Sequence, residues 1–216
     1  MALPQTYIWP AATFATIAER QTVQQNAYLQ LTPDFQQMSG CFPGFSRTLA
    51  FSSSKDGAGL EILVQGLLNG QIVEEALKGP AKDQTVETKQ LFSSLTSIQV
   101  LNKTAKDLSV SLGAKGILGW FLFNFQSPYP AMSLSTDFKK KVDSKITWQM
   151  VGTLEDLNQV SNPKLFTFGT PVQQTKQADS SLWTGIAGPL RYVGLQIENA
   201  SPDDTVSATF VQQGIN

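Results

Sequence analysis

The stretch that decides the fold is LEILVQGLLNGQIVEEAL, residues 60–77 of the 216-residue chain. It contains two apolar runs, Leu60–Leu68 and Gln71–Leu77, that meet at Asn69-Gly70. Asn-Gly is the preferred pair for a type I′ turn, because both central residues of that turn need a positive φ. The stretch therefore predicts an antiparallel β-hairpin, the best local hairpin signal in the chain.

Strand-like runs continue along the chain from residue 47 onward. Ile117–Phe125 is a continuous aromatic-rich run, as expected of a strand buried on both faces. Residues 152–188 are predicted to be irregular, and Arg191–Glu198 is expected to pair with Thr205–Gln212. About ten short strands with frequent turns predict an all-β fold, either an antiparallel β-sandwich or a jelly-roll-like barrel. The other predicted strands are Thr85–Phe92, Thr96–Leu101, Asp107–Leu112, Ala131–Asp137 and Lys145–Val151.

The first 45 residues carry few charges and scattered aromatic side chains. Thr13–Leu31 fits either a helix, because several apolar residues fall at helical spacing, or an extended arm. We predict an N-terminal arm over residues 1–45, extended or partly helical, and a β-sandwich domain over residues 46–216. Removing residues 1–33 is then expected to abolish assembly and to leave the sandwich folded. The predicted partner-binding residues of the arm are Tyr7, Trp9, Phe14, Tyr28 and Phe35.

The charge balance bears on the kind of partner. There are 16 Lys and Arg against 17 Asp and Glu, a net charge of −1, and only 15% of residues are charged. A duplex nucleic-acid binder would show a basic excess, so no nucleic acid is expected. A weakly charged surface costs less to desolvate, which suits permanent contacts with other chains. We therefore expect protein partners, including further copies of the same chain.

Residues that usually carry chemistry are scarce. The chain has no histidine and a single cysteine, Cys41, which excludes His-based triads, zinc ribbons and internal disulfides. Ser52–Lys55 fits the S-x-x-K motif, but it lacks the companion motifs of that enzyme class. Paired carboxylates at Glu74-Glu75, Glu155-Asp156 and Asp203-Asp204 are most simply turn or edge-strand charges. We predict no enzyme activity, no catalytic residues, no cofactor and no metal, with a two-carboxylate hydrolase as the enzymatic alternative.

No membrane segment or signal peptide is predicted. The N-terminus has no basic region before its apolar residues, and it carries two prolines. The longest apolar run, Ile117–Phe125, is about half as long as a membrane-spanning helix requires. The chain is therefore expected to be made in a cytoplasm and to have no membrane partner.

Aromatic side chains in loops leave one further class of function open. Trp183 is predicted to lie in a long loop, where an exposed tryptophan suits a glycan platform or a partner anchor. Tyr129 is the second candidate for such a contact. The alternative to a structural role is accordingly a carbohydrate-binding β-sandwich within a receptor-binding apparatus.

A resemblance to a known group of proteins follows from the order of these motifs. The Asn69-Gly70 turn joins an apolar strand to one with Glu74-Glu75, and the run FSSLTSI ends at Ile98. Leu108–Gly113 and the ending FVQQG follow. The order resembles that of the small β-sandwich virion proteins of tailed bacteriophages, over roughly residues 47–214.

The resemblance implies a non-enzymatic virion component that is made in the bacterial host cytoplasm. A capsid cement or decoration protein that binds neighbouring capsid subunits is the first expectation, and a head–tail connector or tail protein is the alternative. The implied partners are other virion proteins, either major capsid or tail subunits. The motifs that resemble this group are structural, so no catalytic residue is carried over.

Overall fold

The computed structural model describes residues 4–10, 16–33, 35, 44–122, 132–139, 145–160, 162–174, 178–184, 190–201 and 203–212. These residues form an all-β fold in which every strand pairing is antiparallel. The strands are β1 (Gln5–Trp9), β2 (Thr16–Val23), β3 (Phe45–Ser53), β4 (Glu61–Leu68), β5 (Gln71–Lys78), β6 (Thr85–Glu87), β7 (Ser94–Val100), β8 (Ala105–Leu122), β9 (Met132–Lys139), β10 (Ile146–Thr153), β11 (Phe166–Gln174), β12 (Ala178–Thr184), β13 (Tyr192–Glu198) and β14 (Thr205–Gln212).

The strands form three open sheets, which is consistent with the predicted β-sandwich. Sheet A has the order β1-β14-β9-β12. Sheet B has the order β11-β10-β13-β8-β3-β6, with β2 also paired to β8, and sheet C has the order β5-β4-β7. One hydrophobic cluster contains residues from all three sheets, for example Phe210 of sheet A, Phe51 of sheet B and Ile62 of sheet C. The layers therefore share a single core.

The predicted hairpin is confirmed. Asn69 and Gly70 have φ values of 52° and 79°, as a type I′ turn requires. Strand β4 alternates buried and partly exposed residues, because its inner face packs in the core. Strand β5 has no buried residue and forms an edge of sheet C.

The longest strand, β8, joins two strands that the sequence predicts as separate. It runs through Asp107–Leu112 and continues into the apolar run at Ile117. On one side it pairs with β3 over most of its length. On the other side its first half pairs with β2 and its second half with β13. This strand is therefore the axis of sheet B.

Three predictions about strands are corrected. Residues 152–188 are not irregular throughout, since they contain β11 and β12. Strands β13 and β14 do not pair with each other: β13 lies between β10 and β8, and β14 lies between β1 and β9. The region Thr13–Leu31 holds strand β2 where a helix or an arm was predicted. Apart from the neighbouring pair β10–β11, these strands pair with residues far apart in sequence, which periodicity does not report.

The described part of residues 1–45 is not a separate arm. Strand β1 pairs with β14 in sheet A, and β2 pairs with β8 in sheet B. The segment after β2 continues along sheet C, where Leu29 N–H donates to Ile98 O (2.9 Å) and Val100 N–H donates to Ala27 O (3.0 Å). The N-terminal strands are thus part of the sandwich that was predicted to begin at residue 46.

Candidate functional site

Two of the five aromatic residues predicted to bind a partner are buried in the chain's own core. Trp9 exposes 0% and Phe35 exposes 3% of its surface. Trp9 packs beside Phe45, with ring centroids 6.1 Å apart, and the Arg47 guanidinium lies over its ring. Side chains buried in this way stabilise the fold and offer no surface to a partner. The prediction is wrong for Trp9 and Phe35.

The remaining predicted contact residues lie in different surroundings. Tyr7 is half-buried, its ring packs edge-on against Phe210 at a centroid distance of 5.8 Å, and burial raises the pKa of its hydroxyl. Tyr28 is 60% exposed, so it stays a candidate partner contact. Trp183 belongs to β12 rather than to a loop, and Phe14 and Tyr129 lie outside the described residues.

Exposed apolar side chains occur on an edge strand of each sheet. Ile8 on β1 and Ile72 on β5 expose 62% and 77% of their surfaces. Phe166 and Val172, both on β11, are also exposed. Within the described residues, β1, β5 and β11 are each the last strand of a sheet, so each presents a row of backbone groups without a neighbouring strand. We call Ile8, Ile72, Phe166 and Val172 the apolar edge residues.

A second feature, which we call the polar cavity, lies on the outer face of sheet B and has a volume of about 760 Å³. Its floor includes Ser46 on β3, Ile117 on β8 and Gln196 on β13, which lie side by side in register. Their neighbours Leu118 and Leu195 belong to the core on the opposite face, because successive side chains of a strand alternate between faces. The floor of the cavity is therefore the face of the sheet that points away from the core.

Hydrogen bonds hold the walls of the polar cavity in place. On one side, the Glu75 carboxylate accepts the backbone N–H groups of Lys89 (2.9 Å) and Gln90 (2.8 Å). A second hydrogen bond, from Gln71 Nε2 to Asn158 O (2.7 Å), links the β4–β5 hairpin to the connection between β10 and β11, and both of these segments contribute lining residues. The cavity is pre-formed by its own scaffold, as ligand sites usually are.

A β-bulge where β8 passes Thr48 forms part of the cavity lining. The N–H of Ala114 donates to the Glu87 carboxylate (3.2 Å), and the N–H of Lys115 donates to Thr48 Oγ1 (3.3 Å). The Thr48 hydroxyl in turn donates to Glu87 (3.0 Å). Thr48 and Glu87 thus satisfy backbone groups that the bulge removes from the sheet's hydrogen bonding.

Two buried polar atoms of residues that line the polar cavity have no hydrogen-bond partner among the residues that the structure describes. They are Ser46 Oγ and Trp120 Nε1, and both residues line the cavity. Ser46 is 3% exposed, whereas Trp120 is partly exposed and its ring lies close to Gly194. A buried donor or acceptor that stays unpaired costs about 1–3 kcal/mol. Both atoms are enclosed by their neighbours, so an occupant of the cavity pairs with them only when the lining shifts.

Side chains considered for catalysis have structural partners in the sandwich. The Ser52 hydroxyl of the S-x-x-K stretch shares a hydrogen bond with that of Ser109 (2.9 Å), and Glu74 accepts one from Gln65 (2.7 Å). Across the part of the chain that the structure describes, no group of three or more Cys, Asp or Glu is placed to hold a metal ion. Within the same ranges, no helix has the length and apolarity needed to cross a bilayer.

No protein-family model matches the chain, and no curated protein matches it. The motif order, the fold and the surfaces of the chain itself are therefore the basis for the functional proposals below.

The polar cavity was not predicted from the sequence. Trp120 was expected in the core, because it lies in an aromatic-rich strand, and it is instead partly exposed at the cavity. The available signal was the polar side of β13, where Gln196 and Glu198 alternate with the buried Leu195 and Ile197. That alternation indicates that one face of β13 is exposed to solvent. The other strands that form this face are distant in sequence, so the alternation alone does not predict a cavity.

Proposed function

We propose that this chain is a non-enzymatic structural protein of a tailed-bacteriophage virion, and that it serves as a capsid cement or decoration protein binding neighbouring capsid subunits. The observation that carries the proposal is the position of the apolar edge residues. Each of the three sheets has at least one of them on an edge strand.

Edge strands are the places where one β-protein joins another. An unpaired edge offers backbone donors and acceptors to a strand of a second chain, and side chains on that edge add specificity. Single exposed apolar residues are common on protein surfaces, so their presence alone does not indicate an interface. Their placement at edges such as Ile72 on β5 fits a chain that is covered by neighbours. The low fraction of charged residues, 15%, also reduces the cost of covering it.

Quantitative mass spectrometry of purified phage particles tests the assignment. A cement or decoration protein is expected in proportion to the major capsid protein. A small copy number that matches a tail or connector ring would replace the cement assignment with the tail alternative. Absence of the chain from particles that are otherwise complete would overturn the proposal.

Variants at the edge residues test the contact surface. Ile8→Lys, Ile72→Lys and Val172→Lys each place a charge on a different sheet edge, and at least one is expected to reduce incorporation at least tenfold. Leu154→Lys is the matched control, because Leu154 is an exposed apolar residue outside the strands. Incorporation of all three edge variants at the wild-type level would refute contact through these edges.

A further inference from the structure

We propose that the polar cavity binds a neutral saccharide, an activity that does not depend on a role in a virion. The charges of the cavity lining balance each other. The lining contains two acidic residues, Glu87 and Glu198, and two basic ones, Lys89 and Lys115. Recognition of a charged ligand relies on an excess of the opposite charge. The balanced lining instead matches a ligand that carries no net charge.

The aromatic residue of the cavity supports a sugar ring. Trp120 is partly exposed in the lining, and its indole offers an apolar ring together with an N–H donor. A sugar ring likewise presents C–H groups on its face and hydroxyl groups at its rim. Contact of the C–H groups with the indole leaves the sugar hydroxyls directed towards the surrounding polar side chains.

Amide side chains around the cavity match those hydroxyl groups. Asn69, Gln90, Asn162 and Gln196 all line it. Each amide has both donors and an acceptor, as each sugar hydroxyl has, so the pairs are complementary in either direction. Gln196 Nε2 donates to Glu198 (3.2 Å), which orients its carbonyl oxygen as an acceptor.

The two unpartnered atoms add an independent observation. Ser46 Oγ and Trp120 Nε1 belong to lining residues, and neither atom has a hydrogen-bond partner in the described part of the chain. Both atoms are enclosed by their neighbours, and a small shift of the lining would expose them to a saccharide, which supplies acceptors for the indole N–H and either type of group for the serine hydroxyl. The cavity volume of about 760 Å³ also fits a short oligosaccharide, since small-ligand sites span about 300–1,000 Å³.

Polymers of other kinds fit the cavity less well. A peptide that binds by strand addition needs a free sheet edge, whereas the floor strands β3, β8 and β13 are paired on both sides. A nucleic acid needs a basic surface for its phosphates, and the lining has as many acidic as basic residues. A neutral saccharide is the ligand class that matches both the shape and the charge of the cavity.

A glycan array of neutral and acidic glycans, probed with the full-length chain, tests the proposal. We expect binding to neutral glycans, followed by saturable binding of a hit trisaccharide that shifts the indole N–H signal of Trp120 in NMR spectra. Trp120→Phe, which keeps a ring and removes the N–H donor, and Gln196→Ala should each weaken binding about three- to tenfold, the equivalent of one lost hydrogen bond.

The matched control is Gln173→Ala, because Gln173 is an exposed glutamine of the same sheet that does not line the cavity. It should bind as the wild type does, and all three variants should keep the wild-type melting temperature. An array without neutral hits, a preference for acidic glycans, or unchanged binding in both cavity variants would overturn the proposal. The virion proposal is tested by the number of copies of the chain per phage particle. Glycan binding does not change that number, so either proposal can fail without the other.

Discussion

The guanidinium carbon of Arg47 lies 4.0 Å from the centroid of the Trp9 ring, and both side chains are fully buried. Arg47 Nε donates to Gly113 O (2.6 Å) and Nη1 donates to Pro10 O (2.7 Å). One side chain therefore links β3 to the bulge of β8 and to the end of β1. Burial lowers the pKa of Arg47, and the negative charges of Glu87 and Asp204 oppose that shift.

Arg47→Met is expected to lower the free energy of unfolding by at least about 2 kcal/mol, because each buried carbonyl left without a donor costs about 1–3 kcal/mol. Urea denaturation followed by tryptophan fluorescence measures the loss. Arg20→Met is the control: Arg20 forms an exposed ion pair with Asp107 at 3.3 Å, and such pairs contribute about 1 kcal/mol or less. If Arg47→Met and the wild type have the same free energy of unfolding, the hydrogen bonds of Arg47 do not stabilise the fold and the prediction is wrong.

Trp9→Ala is expected to destabilise the chain by about 3–5 kcal/mol, the usual cost of deleting a large buried aromatic side chain. Tyr28→Ala, at an exposed aromatic residue of the same N-terminal region, should change stability by less than about 0.5 kcal/mol. Thermal unfolding of both variants makes the comparison. A loss of stability in Trp9→Ala as small as that in Tyr28→Ala would instead support an N-terminal arm that packs loosely on the sandwich.

The burial of Trp9 also implies that removing residues 1–33 unfolds the sandwich, contrary to the expectation from sequence.

Gly70→Ala tests the hairpin turn. Gly70 has a φ of 79°, and an added Cβ would meet no atom within 4 Å. The expected loss of about 1–2 kcal/mol comes from the left-handed backbone alone. Gly70→Asn should lose less, since asparagine tolerates this conformation. Urea midpoints of the two variants report the difference, and an alanine variant as stable as the asparagine one would contradict the turn assignment.

Asp107→Asn tests an acid-dependent contribution to stability. The hydrogen bond from Ser54 and the charge of Arg20 lower the pKa of the Asp107 carboxyl from 3.8. Because the folded pKa is the lower one, the contribution is present above pH 3.8 and is lost as the pH falls through the folded value. The wild type should therefore be more stable than Asp107→Asn at pH 6 and lose that advantage as the pH falls below 3.8 towards the lower folded pKa.

Denaturation at pH 6 and at a series of pH values below 3.8 measures that difference. Asparagine suits this position because the φ of Asp107 is 59°. Asp83→Asn changes the same chemical group at another left-handed position, where φ is 57°, and controls for the substitution itself. A wild-type advantage over Asp107→Asn that persists unchanged in acid would rule out the charge as its source.

Sequence reasoning was most successful where the signal is local. The hairpin depends on two residues that adopt positive φ, and Asn69-Gly70 meets that requirement without help from the rest of the chain. Alternation likewise predicts β14, in which Val206, Ala208, Phe210 and Gln212 are buried. These features follow from backbone preferences and from the two-residue period of a strand.

What only the tertiary structure decided is which strands meet. Strand β14 lies beside β1 and β9 instead of its sequence neighbour β13, because pairing is chosen by how the faces of all strands close one core. The same packing buries Trp9 and Arg47 together and brings Ser46, Trp120 and Gln196 to one cavity. Strand type is encoded by nearby residues, whereas contacts across more than a hundred residues depend on the folded chain as a whole.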